Sequence, residues 1–420
     1  MNNLKVLKLN TNTNVYLKKT KKFKSIAINI VYKMKYDYKN ITAFNVLAKY
    51  LGNSSNQYPS IEKFNKHIDD LYGTSFGMKS EFVGNLFTFS IFANYVNPKF
   101  VSDNDLHENI IKLLHDCIYN PLIKENKFDE ELFSICKENC MLDINSLKEY
   151  NLSFIISKLK QQLSYKTSSY ASSIYGNKNV LNKLNNTNII DYYNLLLSAP
   201  FDIYVSGDFN YKDMICLLKK YYFNKKTIDI KYSPFKLIKT KTYNPIIYKK
   251  NVNQSKIAIA YKIPILFNDN RHYAFRIARL VLSGTLASKF GKVIREQMGL
   301  CYAISSTYSS YYGTCIVTTG VDSKNIKKVI DEVDNQIKQL QNGNVSDEEF
   351  EWAKQAILSD MYSIDDSIFG ILDMIKTYNS FNKSFDYEDE LNNYKKVSKQ
   401  EVIEVSKLLS FCNYAILDKE

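Results

Sequence analysis

The chain has 420 residues, 45% of them apolar and 24% charged, with seven cysteines and a formal net charge of +13. No apolar run approaches the roughly 18 residues that span a bilayer, and the polar start MNNLKVLKLNTNTNVYLKKTKK lacks the apolar core of a secretory signal. The lysines fall in short clusters far apart (18–22, 218–226, 239–250) with no helix-turn-helix, zinc-finger or RNP signature beside them, which argues against a nucleic-acid partner.

A membrane is not expected as partner either, and the expected location is cytoplasmic. The cysteines (Cys117, Cys136, Cys140, Cys216, Cys301, Cys315, Cys412) are scattered, odd in number and form no CxxC. That usage predicts reduced, mostly buried thiols.

In chain order, KSIAINIVYKM (24–34) reads as a strand, and GMKSEFVGNLFTFSIFANY (77–95) as two strands joined at Val-Gly-Asn. Leu106, Ile110, Leu113 and Leu114 then form one helical stripe. FDIYVSGDFNYKDMICLLKKYY (201–222) reads as strand, turn and helix, with Asp208 or Asn210 as the cap. An irregular stretch containing Pro234 and Pro245 follows, and it marks a linker at 226–251.

The same rhythm then returns. QSKIAIAYKIP (254–264) echoes the first strand, and CYAISSTYSSYYGTCIVTTGVD (301–322) is again a hairpin, with Tyr302, Ile304, Ser306 and Tyr308 expected on one face. Ile326, Ile330, Val333, Ile337 and Leu340 form the second stripe. In VSDEEFEWAKQAILSDMY (345–362), Ser346 or Asp347 caps a helix, and Trp352, the single tryptophan, is expected to pack. The pattern predicts an α+β protein of two homologous domains, 1–225 and 252–420, each a mainly antiparallel sheet with helices packed on one face.

Familiar catalytic patterns are missing. The four histidines, His67, His107, His115 and His272, form no pair that would put two metal ligands on one helical face. There is no GxSxG elbow and no glycine-rich phosphate loop.

One segment holds chemistry. LVLSGTLASKFGKVIREQMGLCYAISS (280–306) predicts a break at Gly284 and a short helix with Leu286, Phe290, Val293 and Ile294 inward. Arg295 falls near its end, Gly299 supplies a positive φ, and Tyr302 opens a strand. Two readings stand at this point. Arg295 caps the helix and Tyr302 is an ordinary strand aromatic, or guanidinium and phenol together donate to a peptide carbonyl.

This segment resembles the C-terminal Arg/Tyr segment of the pitrilysin/insulinase metallopeptidases, which include the mitochondrial processing peptidases. NQSKIAIAYKIP, SGDFNYKDMICLLKKYY and VSDEEFEWAKQAILSDM extend the likeness over most of the chain. The resemblance implies two domains facing each other across a chamber, with Arg295 and Tyr302 as substrate-binding residues.

Active members carry HxxEH in the N-terminal half. The matching stretch TAFNVLAKYLGNSSNQYPS (42–60) puts Asn45 and Lys49 at the histidine positions and Ala48 at the glutamate, while Asp143 corresponds to the third ligand. The likeness is to the bacterial branch without the zinc motif, sometimes labelled as associated with elongation factor P modification.

The implied role is a non-catalytic subunit of a peptide-processing metallopeptidase. It holds no metal itself and presents Arg295 and Tyr302 to the zinc site of an HxxEH-bearing partner in a heterodimer. The alternatives are a non-enzymatic peptide-binding or assembly module, and a self-sufficient metallopeptidase with a divergent site.

Overall fold

The strands form two sheets of the same design. In the computed structural model, which describes residues 4–147, 149–166, 168–223, 225, 227–233, 235, 237–238 and 244–419, the first half contributes β1 (Leu4–Asn10), β2 (Thr13–Lys19), β3 (Ser25–Lys35), β4 (Ser75–Val83), β5 (Leu86–Val96) and β6 (Phe201–Gly207). The second half contributes β7 (Ile246–Lys250), β8 (Ser255–Lys262), β9 (Cys301–Ser309), β10 (Thr314–Val321) and β11 (Ser410–Lys419).

The first sheet runs β1-β2-β6-β3-β5-β4 and the second β7-β11-β8-β10-β9. Apart from the extra β1, the orders correspond strand for strand. So do the directions: β2 with β6 and β7 with β11 are parallel, and the remaining neighbours are antiparallel. The repeat read from sequence is therefore a repeat of topology.

The helices follow the same plan. The first half has α1 (Tyr38–Leu51), α2 (Leu106–Tyr119), α3 (Glu130–Ser146), α4 (Asn151–Leu163) and α5 (Tyr211–Tyr222), and the second has α6 (Arg271–Leu282), α7 (Ile326–Gln341), α8 (Asp347–Asp365) and α9 (Ile368–Ser380). Ile26, Ile28, Ile30 and Tyr32 of β3 bury against Phe44, Leu47, Ile110 and Leu114 of α1 and α2. Asn210 caps α5 through Lys212 N at 2.8 Å. Ser346 caps α8 reciprocally with Glu349, each side chain accepting from the other's backbone N–H at 3.0 Å.

The chain divides into two units that are not continuous halves. One comprises Met1–Asn145, Ser173–Ser233 and Asp365–Lys383, the other Ser146–Ser172, Pro234–Ile364 and Ser384–Glu420. The expected linker 226–251, with Pro234, lies partly outside the described residues. What a simple division at that linker misses is a reciprocal exchange: α4 belongs to the second unit and α9 to the first.

The cause is apolar burial. Ile155, Leu159 and Leu163 of α4 pack with Ala258, Ala260, Ala415 and Leu417 of β8 and β11, and each such side chain contributes roughly 1.5–3 kcal/mol. Helix α9 makes a polar attachment in the first unit. Asp202 of β6 is 1% exposed and takes Asn379 Nδ2 of α9 at 2.8 Å, Asn14 N at 3.1 Å and the Lys33 ammonium. Lys376 of α9 bridges to Glu81 of β4 at 3.3 Å. With α9 on the face opposite α1, β3 is buried on both sides and reads as a nearly unbroken apolar run. Among the described residues no helix is long and apolar enough to cross a membrane.

Candidate substrate-contact site

Arg295 and Tyr302 are brought together by two local irregularities. The first is a π-helical turn, Phe290–Gln297, a form frequent at functional positions. Its wide winding shows in the bond from Met298 N to Val293 O at 2.9 Å, and Leu300 N closes the turn on Ile294 O at 3.0 Å. Phe290 and Ile294 are fully buried and anchor the turn.

Gly291 is required there: a Cβ would lie 2.6 Å from the carbonyl oxygens of both Thr285 and Leu286. Gly299 ends the turn at φ +59°, as the sequence suggests.

The second irregularity is a β-bulge. β9 and β10 pair Cys301 with Val321, then Ile304 with Thr319, so Tyr302 and Ala303 share the space opposite one residue. Thr319 Oγ1 donates to the Ala303 carbonyl at 2.8 Å and fixes the bulge. The expected face therefore breaks. Ser306 is buried and Ile304 and Tyr308 half-buried, but Tyr302 is 82% exposed.

The Arg295 guanidinium lies 5.4 Å from the Tyr302 ring centroid, within cation–π range. Its Nε pairs with Glu296 at 3.3 Å. A planar charged fork and a phenol hydroxyl at one surface point can both donate to a single peptide carbonyl or carboxylate. Burial pushes the neighbouring Cys301 thiol up, with Arg295 acting in the opposite direction.

Two other expectations here need correction. Leu286 is 57% exposed rather than inward, because the loop before the π-turn carries it outside the stripe. Trp352 is 55% exposed, since it falls off the α8 stripe of Phe350, Ala353, Ile357 and Met361.

A signal was available in the sequence that spacing and motifs do not register. The chain has only four arginines, Arg271, Arg276, Arg279 and Arg295, all within 25 residues, against lysine everywhere else. Each makes a contact suited to a planar fork. Arg271 binds both Asp269 oxygens, Arg276 bonds the Tyr394 hydroxyl and stands 5.4 Å from that ring's centroid, and Arg279 donates to the Ser306 carbonyl of β9 at 3.0 Å.

The residues that the resemblance puts at the zinc-motif positions lie in the first unit. Asn45, Ala48 and Lys49 lie on α1, which Asp37 caps. Asn45 Nδ2 donates to Ile174 O at 2.8 Å, and its Oδ1 accepts from Ser80 Oγ of β4. Lys49 Nζ pairs with Asp143 Oδ2 at 3.0 Å, which brings Asp143 against α1. Burial holds the nearby Cys136 and Cys140 thiols up at about 12, with Lys49 opposing.

These residues do not fit zinc. The Lys49 ammonium offers no lone pair and already neutralises the one carboxylate, the Asn45 amide is engaged on both atoms, and Ala48 carries no base. Among the described residues no group of three or more His, Cys, Asp or Glu could hold a metal ion.

Residues 183–357 match the family described as peptidase M16 inactive domain. Over 391 residues the chain is 21% identical to the probable inactive metalloprotease YmfF of Bacillus subtilis (strain 168), spanning 92% of this chain and 91% of that protein. A conserved protein from Enterococcus faecalis V583 has the same fold, with a TM-score of 0.92 at 23% identity over 100% of this chain and 99% of that one. A peptidase M16 inactive domain from Pseudomonas fluorescens matches with a TM-score of 0.82 at 12% identity, over 100% and 98% of the two chains.

Proposed function

We propose, for a chain that is a homologue of the inactive M16 metalloproteases, that it serves as the non-catalytic subunit of a heteromeric, peptide-processing metallopeptidase. It binds an extended peptide and presents Arg295 and Tyr302 to a substrate at the zinc site of an HxxEH-bearing partner, in the cytoplasm.

The observation that carries this reading is an asymmetry. The guanidinium and phenol of the Arg/Tyr pair are assembled 5.4 Å apart by a π-turn and a bulge. The zinc-motif positions of the same chain hold a lysine–aspartate ion pair instead. An assembled Arg/Tyr pair in a chain whose zinc-motif positions cannot hold the metal points to chemistry supplied by a second polypeptide. It also disfavours a self-sufficient metallopeptidase.

The test is co-purification of the chain with an HxxEH-bearing homologue from the same cell, followed by a peptidase assay. Cleavage should need both proteins and fall when Tyr302→Phe replaces the native chain. Full cleavage by the homologue alone, unaffected by this chain, would overturn the reading.

A further inference from the structure

A recess of about 150 Å³ in the first unit is lined by the loop after α1, the helix Ile61–Asp70 and one face of α2. Each wall has a local cause. Ser55 and Tyr58 close the loop on each other: Ser55 N donates to Tyr58 O at 3.0 Å, and Tyr58 N to Ser55 Oγ at 3.2 Å. Asn56 N ties the loop to Asn120 O, just past α2, at 3.0 Å. The Tyr58 and His67 rings stack with centroids 4.1 Å apart and planes 15° from parallel, which makes one flat side. Asn109, Lys112, Leu113 and Asp116 recur at helical spacing along the other.

Packing alone does not call for so many polar groups. Among the described residues, the side chains of Gln57, His67, Asn109 and Lys112 hydrogen-bond no neighbour. The buried Ser55 hydroxyl accepts from Tyr58 N and keeps its own proton to donate. Cys117 also lines the recess, but burial pushes its thiol far up, so it is no nucleophile.

Both signs of charge meet here. The Lys112 ammonium adds to burial in lowering His67. Asp70 and Asp116 add to burial in raising the Tyr58 phenol. Lys112 and Asp116 stand one helical turn apart, yet form no ion pair with each other. Asp116 Oδ1 meets His115 Nδ1 at 2.9 Å and Asn120 Nδ2 at 2.7 Å, which leaves Oδ2 open. A simple anion would be repelled by the two carboxylates, and a simple cation by Lys112. The volume lies well below the roughly 300–1,000 Å³ of pockets for larger ligands.

We propose that this recess binds a small zwitterion of the α-amino-acid class, its carboxylate toward Lys112 and its ammonium toward Asp116. Side chains one turn apart have Cβ atoms about 5–6 Å from each other, a span that adjacent opposite charges on one small molecule can bridge. Arg295 and Tyr302 belong to the second unit, and the proposal does not rest on the reading above.

The probes are L-alanine, L-serine, L-threonine and L-valine, each compared with its amide and its N-acetyl form. Isothermal titration of the full chain gives affinity, and hydrogen exchange gives location. At least one of the four should bind with a Kd of about 1 mM or tighter and slow exchange within 55–58 or 109–117. Blocking either its carboxylate or its ammonium should weaken binding at least about tenfold. Lys112→Met, at an exposed position, should weaken it as much while leaving the thermal melt unchanged, and Gln57→Ala should act in the same direction.

No binding by any of the four, equal binding of a blocked form, or protection confined to other segments would each overturn the proposal. So would undiminished binding by the Lys112→Met chain.

Discussion

The Arg295 guanidinium stands 5.4 Å from the centroid of the Tyr302 ring, with Arg295 on a π-turn, Gly299 between them at positive φ and Tyr302 in a β-bulge. Three irregular features converging on one pair is hard to explain as helix capping alone. Tyr302 is 82% exposed and Arg295 only part-covered, so the pair contributes little to the core. Arg295→Ala should therefore leave the melting temperature nearly unchanged but lower the activity of the reconstituted peptidase by about 10²-fold, the scale of losing one donor to a developing oxyanion. Arg295→Lys should restore little of it, because an ammonium lacks the planar fork. Steady-state kinetics of both variants check this.

Gly291→Ala tests the π-turn without touching either side chain. The new methyl would sit 2.6 Å from two backbone oxygens, and neither can yield as a flexible side chain can. A loss of about 1–3 kcal/mol is expected in thermal unfolding. Activation of the partner should fall with it, since Arg295 rides on the same turn. Unchanged stability and activation would mean that the turn does not position the pair.

The Lys49–Asp143 pair predicts a protein indifferent to zinc. After dialysis against micromolar zinc, the chain should retain less than about 0.1 equivalent by elemental analysis. Both partners are partly exposed, 33% and 46%, so Lys49→Met should cost no more than about 1 kcal/mol. Stoichiometric zinc in the unmodified chain would contradict the assignment of its motif positions.

Three histidines give the first unit a pH dependence. Burial lowers His67, His107 and His115 below the ordinary histidine value of 6.5. The folded form therefore resists their protonation, while the unfolded chain takes up protons near its ordinary value. Stability is full above pH 6.5 and is lost as pH falls below it toward the folded-state values. Thermal melts between pH 7.5 and 5 should show this loss, and His107→Gln should reduce it, His107 being half-buried against the Tyr95 hydroxyl.

Much of this protein was legible in its sequence because burial imposes periodicity. The paired strands at 24–34 and 254–264, the hairpins and the helical stripes all became corresponding elements of two sheets. Ser346, Asn210 and Gly299 do locally what their residue types suggest. The exchange of α4 and α9 was hidden, since an amphipathic stripe says that a helix buries a face and not which sheet receives it.

The bulge at Tyr302 was hidden too. Strand alternation assumes an unbroken register, and nothing in Cys-Tyr-Ala-Ile marks the slip. Asp143 was reachable only as a loose alignment, because its partner Lys49 lies 94 positions away and no local pattern links them.

The most direct test of the central claim is a titration. A fixed amount of a zinc-loaded HxxEH homologue is mixed with increasing amounts of this chain, and cleavage of a fluorogenic peptide is followed. The account predicts negligible activity from either protein alone, a rise that saturates at one chain per homologue, and no rise with the Arg295→Ala, Tyr302→Phe double variant. Full activity of the homologue by itself, or equal activation by the double variant, would contradict it.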